Sequence, residues 1–232
     1  MKKIVKKLLL TIIAIFILIS ICIGGAGYVN YRYALHEVSL EDKIASIKKQ
    51  SNYVTFEHIS PYLLEATVAT EDRRFYDHDG VEIRSIIRAA IGNLLSDQIT
   101  GGGSTITQQL AKNLYFGYEQ SYIRKVSEVF LANDLEKVLS KDEILELYVN
   151  IINYGAGQFG VYDATTYYFD KLPSDLTLNE ASLLAGVPQS PVRFDLSKNY
   201  ENALKRQRQV LQAMLEEQMI TQLEMDNILI HQ

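Results

Sequence analysis

From Leu8 to Val29 the chain carries no charge, and Lys2, Lys3, Lys6 and Lys7 stand directly before that run. About 20 predominantly apolar residues cross the hydrocarbon core of a bilayer as a helix. The segment therefore predicts a single membrane-spanning anchor over residues 8–29. The positive-inside rule places residues 1–7 in the cytoplasm and everything after the anchor on the outer side. A cleaved signal peptide is the competing reading, because Gly24, Gly25, Ala26 and Gly27 supply small residues near a cut; against it, the apolar run exceeds the ~7–15 residues usual in such leaders. The only cysteine, Cys22, lies inside this segment, so the external part must be held by its core without a disulfide.

With 232 residues, 47% of them hydrophobic, the chain has material for one domain of substantial core besides the anchor, and no room for a second large catalytic domain. The net charge of −5, more negative still beyond the N-terminal lysines, argues against a nucleic-acid partner. Period-2 alternation is scarce and helix signals are frequent, so the expected fold is mainly α. Ser140 with Glu143, Thr177 with Glu180 and Thr221 with Glu224 have capping-box spacing, and Ser60-Pro61 reads as a further helix start. Residues 30–55 are expected as a membrane-proximal linker or helix, and 56–232 as the functional domain. Within it, Ile83 to Leu95 is apolar almost all round, with Arg84 and Arg88 four apart. Either it is a buried helix with a polar stripe, or it dips into the outer leaflet as an interfacial helix. Gly101 to Gly103 follow it, which suits a mobile jaw at about 81–103.

Three segments carry residues suited to chemistry. Leu64, Thr67, Val68 and Glu71 share a helix face, so Glu71 ends an apolar stripe; desolvation there favours a general base working near neutral pH. The alternative is a helix-end carboxylate paired with Arg74. Ser104 to Leu114 reads as an amphipathic helix after a glycine turn, with free N–H groups at its start for an anion or a sugar oxygen. Gln108 and Gln109 can grip hydroxyls and amides there, with Lys112 supplying charge. Arg124 and Lys125 stand four and three residues before Glu128, which makes either a common intrahelical salt bridge or a cationic clamp for phosphate, with Glu128 orienting the cations or holding a metal. Asp77, His78 and Asp79 are too closely spaced for one metal ion and read as a turn. Ser46 to Lys49 spells a Ser-x-x-Lys that nothing downstream completes.

In sum these segments resemble the peptidoglycan glycosyltransferases of family 51, in their stand-alone form. Five motifs match in order: Glu71 to Gly80, Gly102 to Asn113, Arg124 to Asn150, Tyr154 to Ala164, and Leu178 to Pro191. The resemblance implies a lysozyme-like, two-lobed helical domain with a head and a membrane-facing jaw. It implies lipid II and the growing glycan strand as substrates, at the outer face of the bacterial cytoplasmic membrane, with membrane lipid and other wall-synthesis or division proteins as partners. By this resemblance Glu71 is the general base and Glu128 the second catalytic carboxylate, organising the clamp or a divalent Mg²⁺ or Mn²⁺ ion. Lys112, Arg124 and Lys125 hold the departing pyrophosphate, Ser104, Gln108 and Gln109 line the sugar path, and Arg73 and Arg74 position phosphates or brace Glu71. Many family members carry arginine where this chain has Gln120, which removes one cation from the expected clamp. The rival readings are a lysozyme-like lytic enzyme, which needs a protonated acid and no pyrophosphate clamp, and a non-catalytic scaffold.

Overall fold

The computed structural model describes residues 2–82, 84, 103–117, 119 and 121–230. The expected jaw therefore falls outside the described residues except for 81, 82, 84 and 103, and so does Gln120. Among the described residues the fold is mainly α, with no strand beyond an isolated bridge between Asn153 and Phe159.

Helix α1 runs unbroken over Lys2–Glu37. By length and composition it can cross a membrane, and none of its most apolar stretch is buried against protein. Phe16 and Leu18 are 70% and 61% exposed, as suits side chains meant for lipid. The helix does not stop where the apolar run stops. Residues 30–37, expected as a membrane-proximal linker or helix, continue it, because its last three turns pack on protein. Tyr31 is buried there and stacks on Phe130, with ring centroids 5.6 Å apart. Helix α2 (Leu40–Lys48) follows, with the Ser39 side chain accepting from the Asp42 N–H at 3.1 Å.

The head is built on α3 (Pro61–Glu71), α4 (Ile106–Ala111), α5 (Tyr122–Val138), α6 (Lys141–Ile151), α7 (Val161–Phe169), α8 (Leu178–Gly186), α9 (Tyr200–Glu216) and α10 (Gln222–Ile230). Helix α3 packs against α8 and α9, and α4 sits between α5 and α6. Leu63, Ala66 and Ala69 of α3, Ile106 and Leu110 of α4, Leu131 and Leu135 of α5, Leu184 of α8 and Val210 of α9 are all fully buried. Each large aliphatic side chain so placed contributes about 1.5–3 kcal/mol. These contacts fix α3 and α4, which both contribute residues to one cleft.

The capping boxes form as the spacing predicts. Ser140 and Thr177 exchange hydrogen bonds with Glu143 and Glu180, and Thr221 does so with Glu224. Ser60 departs from expectation. Its hydroxyl is buried and donates to the Leu176 carbonyl at 3.0 Å, so it ties the start of α3 to the turn before α8 instead of capping the helix. Pro61 opens α3 alone. Between α6 and α7, Gly160 has φ +86° and lies so close to Asn150 that a Cβ would come within 2.4 Å of its carbonyl oxygen. Only glycine fits there.

Candidate active site

Helix α3 ends at Glu71 because Asp72 leaves helical geometry (φ −159°, ψ 77°). The buried Asp72 carboxylate then accepts from the Ile106 N–H at 3.1 Å and contacts His78 Nε2 at 2.9 Å. One carboxylate thus clasps the end of α3, the start of α4 and the 77–80 turn. The Thr105 hydroxyl adds a 2.6 Å bond to the Gly80 carbonyl. Thr105 also caps α4 in a capping box with Gln108, so the helix begins two residues later than the Ser104 start that its pattern predicts.

This box changes the part played by Gln108. Its Oε1 accepts from the Thr105 N–H at 3.1 Å, and the residue is only 1% exposed. Its buried Nε2 has no hydrogen-bond partner among the described residues. The next residue, Gln109, reaches across to α3, where its Nε2 donates to Glu71 Oε2 at 2.7 Å. Its Oε1 accepts from the Tyr148 hydroxyl at 3.1 Å. After Ala111 the chain widens into a π-turn over Lys112–Phe116, a distortion frequent at functional sites. Lys112 opens it.

On α5, capped by Ser121, the cations converge on one buried carboxylate. Arg124 Nε lies 2.9 Å from Glu128 Oε1, and Lys125 Nζ lies 2.7 Å from Oε2. The Arg124 contact is a charge pair without hydrogen-bond angles, so Nε and Oε1 both remain unbonded and buried. Lys125 Nζ also donates to Ser104 Oγ at 2.6 Å, which ties the start of the glycine-led segment to the clamp.

These groups share one cavity of about 320 Å³, lined by Thr70, Glu71, Ser104, Gln108, Gln109, Lys112, Arg124, Lys125, Glu128, Pro188, Gln189 and Arg206. Eight residues singled out from the sequence meet here. Arg73 and Arg74 do not. Once Asp72 has left the helix, the chain turns through Phe75–Asp77, and both arginines line a different cavity beside Tyr76 and Met219. Arg73 pairs with Glu216 at 2.7 Å and Arg74 with Glu82. The 77–80 turn is likewise structural: Lys141 donates to the His78 carbonyl.

Thr70, Pro188, Gln189 and Arg206 line the cavity without having been assigned a role from the sequence. Pro188 and Gln189 fall inside the fifth motif, which was the one available signal. Arg206 sits on α9, outside every motif. Gly186 makes room for it, since a Cβ there would stand 2.8 Å from Arg206 Cγ.

Burial dominates the electrostatics. It lowers the pKa of Lys112, while Glu128 and Glu71 pull it back up and Arg124 and Lys125 push it further down. Burial also lowers Arg206, opposed by Glu71. The Tyr148 hydroxyl is held well above its ordinary pKa, chiefly by burial and then by the negative charge of Glu71. It is a permanent donor across the working range.

The donor set around Glu128 does not fit a protein-held divalent ion. Both carboxylate oxygens already face cations, and among the described residues no three His, Cys, Asp or Glu side chains group as metal ligands.

A carboxylate at a helix end and three cations gathered about a buried second carboxylate line one cleft of a helical head, beside a long apolar helix. Residues 40–215 match the Transglycosylase family model, and the chain belongs to that family. It is 47% identical over 167 residues to Penicillin-binding protein 1A of Neisseria gonorrhoeae, covering 72% of this chain and 21% of that protein. With Penicillin-binding protein 1A of Escherichia coli K12 the identity is 39% over 236 residues, 91% of this chain and 28% of that one. The chain thus spans only about a quarter of the length of these relatives. A candidate transglycosylase of Cupriavidus necator is 40% identical over 216 residues, which cover 92% of this chain and 93% of that protein. The crystal structure of Penicillin-binding protein 1A from Haemophilus influenzae aligns with 76% of this chain and 17% of that one, at a TM-score of 0.46 and 23% identity.

Proposed function

We propose that this chain is a peptidoglycan glycosyltransferase that polymerises lipid II at the outer face of the cytoplasmic membrane. The observation that carries the reading is one cavity that holds Glu71, bonded by the Gln109 amide, together with Lys112, Arg124 and Lys125.

In this reading Glu71 takes the proton of the acceptor sugar's 4-hydroxyl as that oxygen attacks the anomeric carbon of the growing strand. The new C–O bond forms on the face opposite the departing phosphate oxygen, so the anomeric centre inverts to a β-1,4 link. Undecaprenyl pyrophosphate leaves with the bonding pair. The clamp stabilises the charge that develops on the leaving oxygen, an effect worth several kcal/mol in a water-poor site. Ser104, Gln108 and Gln189 bind sugar hydroxyls and amides. The anchor α1 keeps the cleft beside the leaflet that carries the substrate, with residues 1–7 in the cytoplasm.

Incubating the full chain in lipid vesicles with lipid II tests this. The expected products are glycan polymer and free carrier pyrophosphate in proportion to the bonds formed. Soluble fragments released from preformed peptidoglycan, without polymer, would assign a lytic enzyme. Neither product would assign a scaffold.

A further inference from the structure

Tyr148 is fully buried beside the cleft. Its hydroxyl donates to Gln109 Oε1 at 3.1 Å, and Gln109 Nε2 donates to Glu71 Oε2 at 2.7 Å. We propose that Tyr148 is a positioning residue that fixes the Gln109 amide, and through it sets which oxygen of Glu71 accepts the substrate proton. The inference rests on the reading of Glu71 as general base.

A glutamine side chain presents an acceptor at one end and donors at the other, and a half-turn about its last bond exchanges them. If the carbonyl end faced Glu71, two acceptors would oppose each other. Glu71 as a carboxylate can only accept, so it draws the amide nitrogen of Gln109. The Tyr148 hydroxyl donates to the carbonyl end and holds the amide in that direction. With Oε2 occupied, Oε1 is left as the oxygen that accepts a proton from substrate.

The parts on either side of the relay are rigid. Tyr148 and Leu110 are fully buried, α4 packs against α6, and the Gln109 carbonyl accepts from Asn113 Nδ2 at 2.9 Å. The charges around the relay come from several elements: Asp72 just after α3, Lys112 from the π-turn and Arg206 from α9.

A double-mutant cycle on the full chain in vesicles tests the proposal, with lipid II as substrate. Tyr148→Phe keeps the ring and removes the donor. Turnover should fall about three- to tenfold, the worth of one oriented hydrogen bond. KM should hold, and the acid limb of the pH–rate profile should move to higher pH, because a loosened amide stabilises the carboxylate form less. Gln109→Leu should shift the limb the same way. Adding Tyr148→Phe to Gln109→Leu should then cost nothing further. Additive losses, or an unchanged acid limb in Tyr148→Phe, overturn the relay. If Tyr148→Phe fails to fold, an unshifted limb in Gln109→Leu alone overturns it. Glu71→Gln separates the two readings: if that variant turns over normally the base assignment falls, and if it is dead while Tyr148→Phe matches the parent, only the relay falls.

Discussion

The Ser127 hydroxyl donates to the Gly27 carbonyl at 2.9 Å, and Asn30 Nδ2 returns a bond to that same hydroxyl at 3.0 Å. The contact joins the anchor helix to α5 one residue before Glu128. Helical spacing sorts this stretch of α5 into two faces. Ile123, Val126, Ser127 and Phe130 turn to α1, while Arg124, Lys125 and Glu128 turn to the cleft. A membrane-type helix and the cation cluster around Glu128 therefore meet on the same two turns.

Gly27 is what permits that closeness. A Cβ at this position would stand 2.5 Å from Val126 Cγ1 and 3.1 Å from the Ile123 carbonyl oxygen, whereas one at Gly24 meets nothing within 4 Å. Gly27→Val should separate the helices at a cost of about 1–3 kcal/mol, the range for overpacking. The expected outcome is a lower thermal midpoint and a reduced rate on vesicle-borne lipid II. Gly24→Val should match the parent in both. Equal behaviour of the two variants would show that docking of α1 does not matter to the clamp.

The two carboxylates should fail differently. Glu71 makes one side-chain hydrogen bond among the described residues, to an amide that can equally bond a glutamine. Glu71→Gln should keep the fold and lose about 10²–10⁴ in turnover, the range for a general base. Glu128 is 1% exposed and neutralises two cations. Glu128→Gln leaves those charges uncompensated, so stability should fall by about 1–3 kcal/mol and KM should rise more than turnover falls. Melting curves read beside steady-state kinetics distinguish the cases.

How far the sequence foretold this site depends on the distance over which each residue acts. Glu128 with Arg124 and Lys125 is an i,i+3/i,i+4 set, and local geometry delivers it whatever the tertiary fold. The capping boxes at Ser140 and Thr177 are local in the same sense. The end of α1 was not legible, because the apolar run marks where lipid stops, while the helix is continued to Glu37 by packing on α5. Arg73 and Arg74 misled for a related reason: proximity in sequence to Glu71 does not survive a helix that ends at Asp72. Arg206 enters the cavity only because α9 packs on α3 and α8, a fact no local pattern encodes.

Arg73 gives a direct check on that correction. Its guanidinium bonds Glu216 at 2.7 Å and lies 3.6 Å from Glu217, all three side chains being about a third or more exposed. Exposed pairs of this kind contribute about 0–1 kcal/mol. Arg73→Ala should leave turnover and KM at parental values and move the thermal midpoint by no more than about 3 °C. A large rise in KM for lipid II would return Arg73 to the phosphate path.

Lys112 should impose a pH dependence whose sign follows from burial. Its folded pKa is lowered chiefly by desolvation, so it sheds its proton at lower pH than the ordinary value of about 10.4. If its charge holds pyrophosphate, KM for lipid II should climb on the alkaline side earlier than an ordinary lysine would allow. Lys112→Arg, which stays protonated, should extend the flat region to higher pH. Stability should run the other way. Between the lowered value and about 10.4 the unfolded chain binds more protons at this position than the folded one. This group's contribution to stability therefore rises with pH across that window, and below it the buried charge costs the fold a constant amount. Lys112→Met removes that cost. At neutral pH it should melt above the parent while its KM for lipid II rises about tenfold or more, the loss of one charge-assisted contact. The gap in melting temperature should close as pH rises through the window. A gap independent of pH would place the stabilisation in packing, and the cleft would then owe nothing to a strained cation.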